Sequence, residues 1–171
     1  LFGIDHTFTL KHFSAAFSKS GGALFDTFTL GILSSVLSVV LGLLIAYFVA
    51  RSKKPGSAAM DFIANMPLAI PGTVIGLAFA LAFNNPPIVM TGTAAIIVFA
   101  FTVRSLPYAI RSGVAAFGQL HRSMDEASTT MGATAGQTLW RVLIPLVRPA
   151  LLAGMVFAFT RSVTTLSAVI F

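Results

Sequence analysis

The feature that most constrains this chain is an apolar stretch without a single charged residue, from Thr27 to Ala50. About 20 predominantly apolar residues suffice for a helix to cross a bilayer, where all backbone polar groups must be satisfied internally. The stretch therefore predicts a transmembrane helix over about residues 24–50. Small residues recur along it every three or four positions, at Gly31, Ser35, Ser38 and Gly42. This spacing puts them on one side and predicts a face for close helix packing.

Three more apolar segments predict spans at about 60–83, 91–110 and 149–171. Hydrophobic residues make up 56% of the chain and charged residues only 9%, whereas soluble domains carry about 25% charged residues. The sequence thus predicts an all-α, polytopic transmembrane helix bundle. Cysteine is absent, which excludes disulfides and thiolate metal sites.

The second span is interrupted by Pro67 and Pro71, and Gly72 and Gly76 follow with the spacing of a close-packing pair. Each proline removes a helical hydrogen bond and bends or breaks a helix. Broken membrane helices occur where the backbone lines a cavity or is covered by protein. Pro71 and Gly72 are therefore candidates for lining a transport pathway, and a simple packing kink is the alternative.

The basic residues indicate how the chain crosses the membrane. The net charge is +6, but these residues lie mainly at the ends of apolar runs, so membrane topology explains them better than nucleic-acid binding does. Arg51, Lys53 and Lys54 mark a cytoplasmic turn, and the uncharged hairpin 84–90 is then periplasmic. The loop 118–148 is cytoplasmic, and residues 1–23 form a periplasmic or interfacial lead-in. This orientation predicts a multi-pass membrane protein.

The 118–148 loop is the longest polar-containing segment. Ser123 and Glu126 match a capping box, with Asp125 and Glu126 adding negative charge to the first helical turn. Gly132 is placed to end this helix in a left-handed conformation. Thr134 and Gln137 repeat the capping box, and predict a second helix from about 135 to 144 that Pro145 limits. The loop is therefore predicted to be a helix-turn-helix.

The loop also resembles the signature of binding-protein-dependent ABC transporter permeases. That signature is Glu-Ala-Ala, three residues, Gly, nine residues and Ile-x-Leu-Pro. In this chain the matching positions are Glu126, Ala127, Gly132 and Pro145. Mild replacements stand at Ser128, Val142 and Ile144. The stretches Arg104–Tyr108 and Arg161–Phe171 look like the ferric-iron subgroup. The resemblance implies that residues 24–171 have the type I ABC importer permease fold. It also implies that this fold is truncated at its C-terminus and that the segment is the second half of a chain with two permease halves.

In this family, the loop helix docks into a cytoplasmic ATPase and transmits its closure to the spans. The resemblance implies that Ser123, Asp125, Glu126, Ala127, Gly132 and Pro145 form the ATPase-coupling site. It implies as partners an ABC ATPase dimer, a periplasmic substrate-binding protein, a second permease half or subunit, and membrane lipid. The chain would bind no cofactor and no metal, and would have no catalytic residue, since the partner would hydrolyse ATP. Glu126 has two open interpretations: contact with the ATPase, or capping of the helix.

Arg161 is the other candidate. It lies twelve residues beyond Pro149, about 18 Å along a helix, and thus near mid-membrane. An ionisable residue at that depth tends to face the bundle interior and to be functional. We therefore expect Arg161 to face the transport pathway, and a structural cation held by carbonyl groups is the alternative. Asp26 and Asp61 lie near span ends, so the pathway is not expected to hold a bare multivalent cation tightly.

The leading hypothesis is an importer permease for ferric iron, and small oxyanions, phosphonates or polyamines are alternative substrates. An ion channel or secondary transporter is a different class, which the cytoplasmic helix-turn-helix disfavours because such proteins need no ATPase dock. A membrane-embedded enzyme is a third class, and no constellation of catalytic side chains at membrane depth supports it.

Overall fold

The computed structural model describes residues 10–51 and 56–165, and every regular element in those ranges is helical. The α-helices are α1 (Lys11–Arg51), α2 (Ser57–Asn65), α3 (Gly72–Ala82), α4 (Ala94–Gln119), α5 (Ser123–Thr130), α6 (Ala135–Thr138) and α7 (Ile144–Thr164). A 3-10 turn at Met66–Leu68 follows α2, and a π-helical segment at Leu139–Leu143 joins α6 to α7.

Three long helices form the body of the fold: α1, α4 and the continuous helix Ala135–Thr164. Each is long and apolar enough to cross a membrane. They pack against one another in all three pairings, and the contact between α1 and α4 is the most extensive. The all-α transmembrane bundle predicted from the sequence is thereby confirmed.

Small residues bring these helices into close contact. A Cβ added to Gly42 would lie 2.6 Å from the Cβ of Ala109, and one added to Gly113 would lie 2.6 Å from the Cβ of Ala46. Side chains do not approach so closely, so only glycine allows α1 and α4 their present separation. A Cβ on Gly31 would lie 3.2 Å from the ring of Phe159 on α7. The packing face predicted for α1 is therefore confirmed.

Buried hydroxyl groups join the same three helices farther along. The hydroxyl of Ser162 on α7 lies 3.3 Å from that of Ser34 on α1 and 3.3 Å from that of Ser105 on α4. Ser38 donates to the carbonyl oxygen of Thr102 over 3.1 Å. Hydrogen bonds of this kind contribute about 0.6 kcal/mol each inside membranes. Their geometric requirements help to fix how the helices align.

The second predicted span is broken rather than gently kinked. The segment Ser57–Leu68 meets α3 at an angle of 101°. Pro67 lies in the 3-10 turn and Pro71 is the residue before α3, so neither requires an amide hydrogen bond there. Gly72 and Gly76 are buried. The ring of Phe79 packs against Phe99 of α4 with 5.8 Å between centroids, which holds α3 on the bundle.

Two helix ends expected from the sequence are wrong. Helix α1 begins at Lys11 rather than near residue 24 and runs through Gly21 and Gly22, because continuing a long helix through a glycine costs only about 1 kcal/mol. Residues 11–23 of the predicted lead-in are thus the first turns of α1, and residues before 10 lie outside the described ranges. Pro145 does not end the second loop helix. Pro145 lies in the first turn of α7, directly after a π-helical turn. In a regular α-helix the ring of Pro145 would clash with the carbonyl group of Arg141, four residues earlier, and Arg141 belongs to this π-helical turn.

The two ends of the bundle carry different segments. Arg51, at the end of α1, contacts Leu120 and Asp125, so the basic end of the first span and the 118–148 loop lie on the same side. At the opposite end, Asp26 lines a cavity of about 520 Å³ together with Gly92 and Thr93. This separation agrees with the orientation predicted from charge.

Candidate functional site

The candidate site is the 118–148 loop, which folds as α5, a turn and α6 at the end of the bundle where α1 finishes. The predicted helix-turn-helix is therefore present. Its first helix, however, begins differently from the prediction.

The capping box expected at Ser123 and Glu126 is not formed. Arg122 is the N-cap residue and has helical dihedrals, φ −65° and ψ −21°, with no side-chain cap. The Ser123 hydroxyl instead lies 2.9 Å from Nδ1 of His121, because this neighbour offers a nearer partner than the amide of Glu126. Glu126 is exposed, so its carboxylate is directed to the surroundings rather than to its own helix.

The end of α5 follows the prediction. Gly132 has φ +82°, in the left-handed region that glycine enters without steric cost. Its amide donates to the carbonyl of Thr129 over 2.9 Å, and the amide of Ala133 donates to that of Ser128 over 3.0 Å. These two bonds form a Schellman motif. Gly132 therefore has a structural requirement that accounts for glycine at this position.

The second capping box, at the start of α6, is confirmed. The amide of Gln137 donates to the Thr134 hydroxyl over 3.3 Å, and the amide of Thr134 donates to Oε1 of Gln137 over 2.9 Å. The reciprocal bonds satisfy two amides that the first helical turn would otherwise leave free. They fix the direction in which the chain returns to the membrane.

Ser128 ties the two loop helices together. Its hydroxyl is buried and lies 2.8 Å from that of Thr138. The family signature has alanine at position 128, and the sequence alone did not indicate a contact between Ser128 and Thr138. Because Thr138 belongs to the continuous helix that includes α7, this bond joins α5 to a membrane span.

Arg51 ties α5 to a different span. Its Nη1 lies 3.2 Å from Oδ2 of Asp125, and its side chain is only 7% exposed. Its Nη2 donates to the carbonyl of Leu120 over 3.1 Å. The sequence indicated Arg51 only as a topology signal, since nothing local links it to Asp125. The predicted site residue Asp125 is thus a structural contact of the loop with α1.

An apolar core supports the loop from within the bundle. Its buried members come from α1, α4 and the helix after α5: Leu43, Ala46, Ala116, Phe117, Leu139, Leu143 and Val147. Leu143 is fully buried. The rings of Phe117 and Tyr47 pack edge to face with 5.9 Å between centroids. The root of the loop is therefore packed into all three long helices.

The outer surface of the loop is exposed and partly apolar. Ala127 and Glu126 are exposed, and Met131 and Trp140 are 83% and 65% exposed. Large apolar side chains with this much exposure are free to contact a partner or lipid. The loop thus combines an anchored inner side with an outer side available to a partner.

Arg161 lies on α7 beside the buried hydroxyl cluster, because the next residue is Ser162. Its guanidinium carbon is 5.6 Å from the ring centroid of Tyr108 on α4, and Tyr108 also contacts Phe157 at 5.0 Å. Both Arg161 and Tyr108 are half-buried. Arg161 thus makes a cation–π contact with the ring of Tyr108.

Two other arginines on α4 differ from each other. Arg111 is exposed and its Nε donates to Oδ1 of Asn65 over 3.1 Å. Arg104 is half-buried, and its Nε is buried without a hydrogen-bond partner among the described residues.

The remaining candidates lie elsewhere. Pro71 and Gly72 belong to the break before α3 and are not part of the loop. Within residues 10–51 and 56–165, no three His, Asp or Glu side chains are grouped closely enough to hold a metal ion.

Comparison with known proteins places this geometry in context. The family described as binding-protein-dependent transport system inner membrane component matches residues 21–171. A solved structure of the MetNI methionine ABC transporter in inward-facing conformations has a TM-score of 0.67, with 22% identity over 81% of this chain and 67% of that one. This likeness shows the fold.

Curated relatives include two ferric transport system permease proteins. FbpB of Actinobacillus pleuropneumoniae is 38% identical over 99% of this chain and 25% of that protein, and the putative FbpB 1 of Haemophilus influenzae is 39% identical over 99% and 28%. The sulfate transport system permease protein CysT of Escherichia coli is 32% identical over 81% and 53%. The chain thus spans about a quarter of the length of the two ferric relatives.

Proposed function

Because this chain belongs to the family of inner-membrane components of binding-protein-dependent transport systems, we propose that it forms part of the permease of an ATP-driven importer. It is a multi-pass inner-membrane protein and not an enzyme. A separate ATPase subunit hydrolyses ATP, and a periplasmic binding protein delivers the substrate. A second permease half completes the pathway.

The observation that carries this proposal is the attachment of α5 at two places while its outer side stays exposed. Arg51 joins it to α1, and the hydroxyl pair of Ser128 and Thr138 joins it to the helix that becomes α7. A force applied to the exposed side of α5 therefore reaches two spans through direct contacts. This is the mechanical requirement for a helix that transmits ATPase closure to a transport pathway.

In this proposal the loop residues have distinct roles. Glu126 and Ala127 face the ATPase, since both are exposed. Ser123, Asp125, Gly132 and Pro145 act by holding the loop in shape. Pro71 and Gly72, at the 101° break of the second span, line the pathway, because non-helical backbone at membrane depth occurs where protein or a cavity covers it.

Ferric iron is the proposed substrate. The support is that the relatives at 38% and 39% identity carry names of ferric transport permeases, whereas the relative named for sulfate is 32% identical. Sulfate or another small oxyanion is the second candidate, because of that relative. The iron would be cargo in transit rather than a resident cofactor.

The first test is co-purification of the full-length protein with the ATPase subunit encoded beside it. Replacing Ala127 with Arg places a long charged side chain on the exposed side of α5, and should abolish the complex while the permease still assembles in the membrane. Asn85→Arg makes the same change at an exposed position at the opposite end of the bundle, and should leave the complex intact. Equal retention of the ATPase by both variants, or no complex with the unmodified protein, contradicts the proposal.

A further inference from the structure

Two arginines lie within membrane-crossing helices without a carboxylate partner in the described part of the chain. Arg104 is on α4 and Arg161 on α7, and among residues 10–51 and 56–165 the ion pair is that of Arg51 with Asp125. Buried or membrane-embedded cations are normally paired, because an uncompensated charge in a low-dielectric medium is costly. These two guanidinium groups therefore require an explanation.

The ring of Tyr108 lies near Arg161 and one helical turn from Arg104. Arg104 precedes Tyr108 by four residues, which puts both on the same face of α4. The guanidinium carbon of Arg161 lies 5.6 Å from the centre of the Tyr108 ring. Arg161 thus lies against Tyr108, and the position of Arg104 on α4 is one helical turn from that ring.

Arg104 has unused donors. Its Nε is buried and makes no hydrogen bond with the described residues. Leaving a buried donor unsatisfied costs about 1–3 kcal/mol, so such groups in native proteins usually have a partner at some stage of their function. A guanidinium has five N–H donors in a planar fork that fits carboxylate, phosphate and sulfate oxygens two at a time.

The depth of the cluster favours a ligand in transit over a lipid headgroup. Ser162, beside Arg161, packs on Ser34 and Ser105 inside the bundle. Ser34 lies eight residues inward from Asp26 and 17 residues outward from Arg51 along α1, or about 12 Å and about 25 Å from them. Arg161 and its neighbours are therefore deeper in the membrane than the outer cavity that Asp26 lines.

We propose that Arg104, Tyr108 and Arg161 bind an oxyanion on its way through the membrane. This inference rests on the proposed function and adds the chemical class that the pathway accepts: a sulfate- or phosphate-like anion, either free or as a ligand that accompanies ferric iron. A bare trivalent cation would be repelled by the two guanidinium groups, whereas an anionic complex would be attracted. The same cluster thus suits the substrates named for both kinds of relative.

The test is equilibrium binding of radiolabelled sulfate and of inorganic phosphate to the full-length transporter in phosphatidylcholine nanodiscs. Arg104→Gln and Arg161→Gln should each weaken binding about tenfold or more, since each removes charge-assisted hydrogen bonds. Arg104→Lys should retain part of it. Arg111→Gln is the matched control, because Arg111 is exposed and bonded to Asn65, and it should bind as the unmodified protein does.

Unchanged binding in both glutamine variants, or no saturable binding of either anion to the unmodified protein, would overturn the site. Native mass spectrometry could also overturn the site. It would do so if the unmodified protein retained a phospholipid that sulfate does not displace, and if the two glutamine variants lost that phospholipid. All variants should still co-purify with the ATPase. Loss of the ATPase from the unmodified protein would count against the proposed function instead, so the two failures are distinguishable.

Discussion

Asp125 and Glu126 are neighbouring carboxylates whose surroundings differ completely. Asp125 accepts from the guanidinium of Arg51, whose side chain is 7% exposed, while Glu126 is exposed. Of the two, Glu126 matches the family signature, yet Asp125 makes the contact that holds the loop. The residue in the signature is therefore the one available to a partner, and its neighbour is the structural one.

This difference predicts unequal effects of removing each charge. Asp125→Asn leaves Arg51 without its counter-ion and should destabilise the docking of α5 by about 1–2 kcal/mol. Hydrogen exchange of the amides in 121–131 should accelerate about 5- to 30-fold. Glu126→Gln is the control and should leave exchange unchanged. Equal exchange in the two variants would show that the ion pair does not hold the loop.

The sequence predicted helix ends whose hydrogen-bond partners are close in the chain, but it did not predict contacts between distant residues. Gly132 and the Thr134 capping box were predicted correctly, because their partners lie within four residues. Arg51 and Asp125 are brought together only by the packing of α1 beside the loop. Ser123 failed for a local reason, since His121 competes for its hydroxyl.

At the scale of elements, the contact between α1 and α4 depends on two glycines. The backbone approaches so closely at Gly42 that an added Cβ would overlap Ala109. The sequence predicted a packing face on α1 from the repeat of small residues. It did not predict the partner helix, because every span here contains small residues.

Gly42→Ala should therefore force α1 and α4 apart. The expected loss of unfolding free energy is about 1–3 kcal/mol, seen as a lower melting temperature of the purified full-length protein. Gly118→Ala, on α4, is the matched control, since nothing lies within 4 Å of its added Cβ. If the two variants have the same melting temperature, the packing of α1 against α4 at Gly42 does not require glycine.

At the scale of the whole molecule, the orientation in the membrane follows from where the charges lie along the sequence. The structure adds that the end of α1 and the 118–148 loop share one side. The bent second span was predicted only as a kink or a break, because the effect of a proline depends on whether neighbouring helices support the two halves.

Cysteine labelling tests this orientation. In a cysteine-free background expressed without partner subunits, Asn85→Cys should react with a membrane-impermeant maleimide in intact spheroplasts. Ala127→Cys should react only after the membrane is permeabilised. Both positions are exposed, so a difference reports sidedness and not burial. Labelling of both in intact spheroplasts would contradict the arrangement.

The π-helical segment has a consequence for the rotational phase of the last span. In a regular α-helix, Leu139 and Val147 would point about 80° apart, yet both face the same core. The π-helical turn at Leu139–Leu143 holds more residues than a regular turn and so reduces this offset. Removing one residue from it would restore a regular helix and rotate everything beyond it by about 100°. The direction in which Arg161 points is thus set by one extra residue some 20 positions earlier in the chain.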